Sequence, residues 1–191
     1  TNEDLDIKDK LILMDLGAEY RGYTADVTRT IPVNGKFNPE QKLIYDLVYD
    51  SQEEAIKMAI VGNNFSDIYF KSYEVIAKGL VELGIIDNLN YARKYYPHGV
   101  SHHIGLDVHD PGSRELQENM IITVEPGIYI PEDSDTDPKW WNIGVRIEDD
   151  ILITESGPIN LSSEAPRKSD DIESLMTQES IFNSLNLETI D

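Results

Sequence analysis

The chain contains no cysteine in its 191 residues, which excludes disulfides and thiolate chemistry and leaves the redox compartment unreadable. Basic residues are scarce, 16 Lys and Arg against 36 Asp and Glu, for a formal net charge of −20. Nucleic acids and anionic membrane surfaces are held by basic patches, so neither is an expected partner. Metal ions and substrate ammonium groups suit this charge. No apolar run approaches the ~18 residues of a membrane span. No signal or transit peptide is visible, and the chain opens at Thr1 without a methionine. A piece of a longer protein, with any targeting segment upstream, is therefore expected. There is no repeat at solenoid period and no low-complexity tract. The length suits one domain of ordinary size with a real core.

Histidine is scarce too, and its placement is informative. All four histidines, His98, His102, His103 and His109, fall between Pro97 and Asp110. Imidazole is the commonest metal ligand, so a carboxylate-rich chain that gathers its imidazoles in one stretch is expected to build a site there. The other candidate ligands lie far away in sequence: Asp15 and Asp26 before the stretch, Glu125 and Glu148 after it.

Along the chain, residues 1–10 read as a polar start and residues 11–18 as a buried strand interrupted by one carboxylate. Tyr23 to Val33 reads as its partner, with Glu19-Tyr20-Arg21-Gly22 a tight hairpin between them. If Tyr20 and Arg21 form the loop, Asp15 lies opposite Asp26; if Arg21 and Gly22 do, Asp15 lies opposite Thr28, one diagonal step from Asp26. Either register puts both aspartates on one face, where they repel unless a cation lies between them. The bland alternative is one surface aspartate and one turn aspartate.

Asn38-Pro39-Glu40-Gln41 predicts a capped helix start, with apolar spacing that runs to Gly62. A second helix is expected from Ser66 to Leu83, stopped by Gly84, and its apolar stripe is core rather than a ligand box. Residues 85–97 read as irregular. Met120–Val124 reads as a strand ended by Glu125-Pro126-Gly127, followed by a short extended Ile128–Ile130 and an acidic loop over 131–142. That loop lacks the Gly and terminal Glu of a calcium loop and reads as solvated. Gly144–Thr154 is expected to be one strand with Arg146 and Glu148 on the same face. A short helix over Asp170–Met176 and a polar tail close the chain.

Asp15, Asp26, His102, Glu125 and Glu148 form an oxygen-rich set that favours Mn, Co, Fe or Zn over a soft-ligand metal. Four carboxylates exceed what one divalent ion needs, so two ions are expected. Ions ~3.5–4 Å apart can activate a water and polarise a carbonyl, which makes the reaction class metal-assisted hydrolysis. His98 and His109 are left to contact substrate or stabilise developing charge. His103 reads as structural.

The stretch His98-Gly-Val-Ser-His102-His-Ile-Gly-Leu-Asp-Val-His109-Asp resembles the histidine signature of the Xaa-Pro aminopeptidases (aminopeptidase P) of the pita-bread metallopeptidase superfamily. Asp15-Leu-Gly-Ala-Glu-Tyr-Arg-Gly-Tyr-Thr-Ala-Asp26 resembles the family's two-aspartate hairpin. Thr123-Val-Glu125-Pro-Gly-Ile-Tyr129 and Gly144-Val-Arg-Ile-Glu148 resemble its two glutamate segments. Four motifs in the right order between Leu11 and Leu161 make a specific signal. Ser101 before His102 is more similar to aminopeptidase P than to prolidase.

The resemblance implies an α+β pita-bread fold, a curved antiparallel sheet with helices on its outer face, represented here by its C-terminal larger part only. It implies a catalytic domain over residues 1–165 whose first part is missing, and a short helix and tail over 166–191. Asp15 would hold one metal ion, Asp26 and Glu148 would bridge two, and His102 and Glu125 would hold the other, with Mn2+ the usual ion. Glu125 would also be the general base, His98 and His109 catalytic, and Tyr129 and Arg146 supporting. The implied activity is removal of one N-terminal residue with proline second. Its implied partners are peptide or protein N-termini, the missing N-terminal half of the enzyme and a second copy in a homodimer. The acidic loop before Trp140-Trp141 and Asp170-Asp-Ile-Glu resemble the mitochondrial intermediate-cleaving branch, with the cytoplasm as the alternative location. Without its first half the chain alone is expected to be inactive or weakly active, and the rival reading is a binding fragment that keeps the ligands by descent, or a prolidase-like dipeptidase.

Overall fold

In the computed structural model, which describes residues 8–180, the chain begins as a hairpin. Positions 1–7 of the expected polar start and 181–191 of the expected tail lie outside the described residues. β1 (Leu11–Leu16) pairs antiparallel with β4 (Val27–Pro32), and β2 (Glu19–Tyr20) with β3 (Tyr23–Thr24). The turn residues are Arg21 at φ 53° and Gly22 at φ 86°, the two positive values that a twist-matched two-residue turn needs. This selects the register with Asp15 opposite Thr28. The ladder is interrupted at Gly17, where a Cβ would stand 1.9 Å from the carbonyl oxygen of Ala25. Only glycine permits that approach.

α1 (Pro39–Ile56) starts as expected: the Asn38 side chain accepts from Gln41 N at 2.7 Å, and Gln41 Oε1 accepts from Asn38 N at 3.0 Å. It ends at Ile56, short of Gly62, because Met58 to Asn63 turn back through local hydrogen bonds. α2 (Phe65–Glu82) packs along α1, with a buried polar string from Ser51 through Ser72 to the Tyr96 hydroxyl. The irregular stretch holds a 3₁₀ turn over Leu89–Lys94.

The remaining strands are β5 (Ile121–Val124), β6 (Gly127–Ile130), β7 (Ile143–Arg146), β8 (Asp149–Thr154) and β9 (Gly157–Asn160), followed by α3 (Ser169–Met176). β6 pairs with β7, and β8 lies between β5 and β9. The single strand expected over 144–154 is therefore two strands with different partners. The break has two causes: Ile147 N still donates to Pro126 O at 3.4 Å in the β6 register, but Pro126 has no N–H to return, and Glu148 N donates instead to Thr28 O of β4 at 3.1 Å. β9 was not among the expected strands; it lies at a sheet edge, where Pro158 is tolerated. The expected α+β arrangement holds, with its antiparallel layer made of four small sheets among the described residues. Thr30 Oγ1 stitches two of them, accepting from Arg146 N at 3.2 Å and donating to Arg146 O at 3.0 Å.

The core lies between this layer and α1, built by Ile44, Val48, Ile122, Val124, Ile128 and Val145 among others. The acidic loop is anchored by Trp140, which is buried, and by Trp141 Nε1 donating to Ser134 O at 3.0 Å. α3 docks on α1 through Ile172, and Tyr45 OH donates to Arg167 O at 2.8 Å.

Candidate metal centre

The five residues named from the sequence converge on the face of the layer opposite α1. Asp15 and Asp26 come from the hairpin. His102 comes from a segment laid along β5, where His102 N donates to Thr123 Oγ1 at 3.1 Å and Thr123 N to His102 O at 2.9 Å. Glu125 follows β5 directly, its N–H held by Val100 O at 2.7 Å. Glu148 stands at the break between β7 and β8.

His102 Nε2 lies 3.5 Å from Glu125 Oε1, 3.7 Å from Asp26 Oδ2 and 3.8 Å from Glu148 Oε1. Ligand atoms of Asp26, His102 and Glu148 all fall within 4.8 Å of one another. Asp15 lies beside Asp26, whose pKa it raises, and accepts from Arg146 Nη2 at 2.5 Å. Arg146 also reaches Thr28 Oγ1 at 3.1 Å and the Tyr129 hydroxyl at 3.4 Å.

His102 Nδ1 stands 3.0 Å from the carbonyl oxygen of His103. A carbonyl only accepts, so Nδ1 donates and Nε2 is turned toward three carboxylates. A cation among these atoms would relieve the crowding of like charges. The carboxylates record the same conflict. Burial, then the charges of Glu125, Asp26 and Asp15, push Glu148 up to about 8, although Thr28 Oγ1 donates to it at 2.5 Å. Burial pushes Glu125 up to about 7, with Asp26 and Asp15 adding to the rise. Burial and then Asp15 raise Asp26. A hard oxygen-and-imidazole set with too little positive charge of its own fits divalent cations.

The two other histidines sit beside this group. His98 Nδ1 lies 2.5 Å from Gly99 O and Nε2 lies 2.8 Å from the Tyr129 hydroxyl, so Nδ1 donates and Nε2 accepts. Burial lowers its pKa, which keeps the ring neutral. His109 is exposed and meets His102 edge to face at 4.3 Å between ring centroids. It lines a cleft of about 410 Å³ with Asp15, Gly17, Asp26 and Val108. His103 faces away: its Nε2 donates to Ser113 O at 2.8 Å and its ring packs on Phe65.

Sequence reasoning missed Asp150 and the group behind the site. Asp150 Oδ2 accepts from Asp26 N at 3.2 Å and so holds that aspartate's backbone. Burial and then the nearby Asp26 charge are the largest causes raising it, to about 6. Its signal was present in Glu148-Asp149-Asp150, too many acids for an ordinary strand end.

The chain belongs to metallopeptidase family M24, whose family model matches residues 1–155. It is similar to the Xaa-Pro aminopeptidase of Escherichia coli (strain K12), with 42% identity over 190 residues that cover 92% of this chain and 43% of that protein. It is 38% identical over 189 residues to "Intermediate cleaving peptidase 55, mitochondrial" of Arabidopsis thaliana, covering 96% of this chain and 38% of that one. Among solved structures it is similar to aminopeptidase P of E. coli with the inhibitor Pro-Leu, at TM-score 0.85 and 41% identity, over 88% of this chain and 42% of that chain. The pita-bread fold expected from the motifs is the one shared with aminopeptidase P. The chain spans about two-fifths of the length of these relatives.

Proposed function

We propose that the chain is the ligand-bearing part, residues 1–165, of the catalytic domain of a dinuclear-metal aminopeptidase that removes one N-terminal residue, with proline preferred second. The observation that carries this reading is the convergence of Asp15, Asp26, His102, Glu125 and Glu148 from separate segments. Those residues would hold the two ions. When bound, the ions, Mn2+ by this reading, neutralise the carboxylates and polarise the scissile carbonyl. Glu125 takes a proton from the attacking water and returns it to the leaving amine. His98, held by Tyr129, and His109, at the mouth of the cleft, contact the scissile region. Arg146 orients Asp15. The name of the Arabidopsis relative supports a mitochondrial setting. The span of about two-fifths supports a companion segment that completes the substrate pocket.

The test is an Xaa-Pro peptide incubated with the protein and Mn2+ and followed by mass spectrometry, with the protein's own intact masses taken from the same sample. Loss of a single N-terminal residue is expected when the companion segment is present. Glu125→Gln is expected to reduce turnover by about 10²–10⁴-fold with an unchanged circular dichroism spectrum. A binding fragment would be indifferent to that change, and a prolidase-like enzyme would leave peptides longer than dipeptides uncut.

A further inference from the structure

On the side of the layer that faces α1 lies a second group of charges that the proposed chemistry does not use. Arg29 projects from β4 and is 8% exposed. All of its donor atoms are engaged. Nε donates to Pro166 O at 2.9 Å. Nη1 donates to Thr28 O at 2.8 Å and to Glu148 O at 2.6 Å. Nη2 donates to Asp149 Oδ1 at 2.7 Å and to Ala165 O at 3.0 Å. Asp149 Oδ2 accepts from Gln52 Nε2 at 2.9 Å and faces Arg167 Nε at 3.4 Å. Gln52 closes the network: Nε2 also donates to Val124 O at 3.0 Å, and Oε1 accepts from Arg167 Nη1 at 3.0 Å.

Two of these contacts fall on the backbone roots of the site. Arg29 holds the carbonyl of Glu148, which stands in a break where no ladder fixes it. Gln52 holds the carbonyl of Val124, the residue before Glu125. The third party, Ala165 to Arg167, lies beyond the residues that the family model matches.

We propose that Arg29 is a positioning residue for the metal centre, and that the segment 165–167 belongs to the same device. Together they fix the separation of the Glu125 and Glu148 carboxylates from behind. This rests on reading the site as a metal centre. A planar guanidinium can satisfy five acceptors in fixed directions, whereas an ammonium cannot, so lysine is not a substitute here.

The test uses the intact protein. Native, Arg29→Lys and Arg167→Gln samples, stripped of metal, are titrated with Mn2+ by calorimetry. The visible spectrum of each Co2+-loaded sample reports ligand geometry, and far-ultraviolet circular dichroism reports folding. Both variants are expected to bind Mn2+ about tenfold or more weakly and to shift the Co2+ bands while remaining folded. Affinity within about twofold of native, with an unchanged Co2+ spectrum, in folded Arg29→Lys overturns the proposal. If Arg29→Lys does not fold, Arg167→Gln decides by the same criterion. Native protein that binds neither ion overturns the metal-centre reading and this proposal with it. Native binding with indifferent variants overturns this proposal alone.

Discussion

Glu148 and Asp149 are consecutive, both nearly inaccessible at 2% and 0%, and they sit in opposite circumstances. Glu148 points to the face where Asp15, Asp26 and Glu125 already crowd, and its carboxyl is pushed up to about 8, by burial first. Asp149 points to the other face, with Arg29 at 2.7 Å, Arg167 at 3.4 Å and Gln52 at 2.9 Å. On one side the fold supplies the counter-charge; on the other it supplies Arg146 against four carboxylates. Burial of a charge therefore does not by itself separate a structural group from a functional one. What separates them is whether the chain completes the pairing or leaves it for something that arrives from solution.

Breaking the completed side should have the largest effect. Asp149→Leu removes the carboxylate partner of the buried Arg29, while Arg167 keeps Glu53 at 2.6 Å, and is expected to lower stability by about 3–5 kcal/mol, read from urea unfolding. A loss under about 1 kcal/mol would show the network to be incidental.

Breaking the open side should act in reverse when no metal is present. Folded Glu125 and Glu148 keep their protons up to about 7 and about 8, while an ordinary glutamate releases near 4.5. The folded state thus binds more protons across that window, and the metal-free protein should lose stability as pH rises from about 4.5 to about 8. Melting curves at successive pH values should fall without metal and flatten or rise with Mn2+. Glu148→Gln should flatten the metal-free curve, raise melting at pH 8 by several degrees and remove most of the gain from Mn2+. A metal-free curve that rises with pH would contradict the repulsion described here.

The smallest effect sharpens the contrast by exposure. Lys42 and Asp170 pair at 2.6 Å with side chains 35% and 85% exposed. Lys42→Met should change the unfolding free energy by under about 1 kcal/mol.

Much of the candidate site was legible because each candidate ligand sits in a short segment whose neighbours constrain it. Both hairpin registers put Asp15 and Asp26 on one face, and Gly22 was a plain turn residue. The first helix start was legible because Asn38 and Gln41 cap it within four residues of each other. The break at Ile147-Glu148 was not, since Val145 to Ile153 alternates as one strand would. One cause is a carbonyl on β4, 120 residues away from Glu148 in the chain. The network behind the site escaped for a related reason. Arg29 stands among Thr, Val and Ile, where a buried cation requires a partner. The sequence offered many acids, and only folding selects Asp149.

Gly17 touches no ligand and carries no charge, yet its hydrogen in place of a Cβ lets the two arms of the hairpin close to 1.9 Å from where that atom would be. Any side chain there pushes Ala25 away and carries the adjoining Asp26 with it. A loss-of-function scan of this chain would therefore rank a silent hydrogen beside the aspartates of the candidate site, and tolerance to substitution alone would not tell the scaffold from the chemistry.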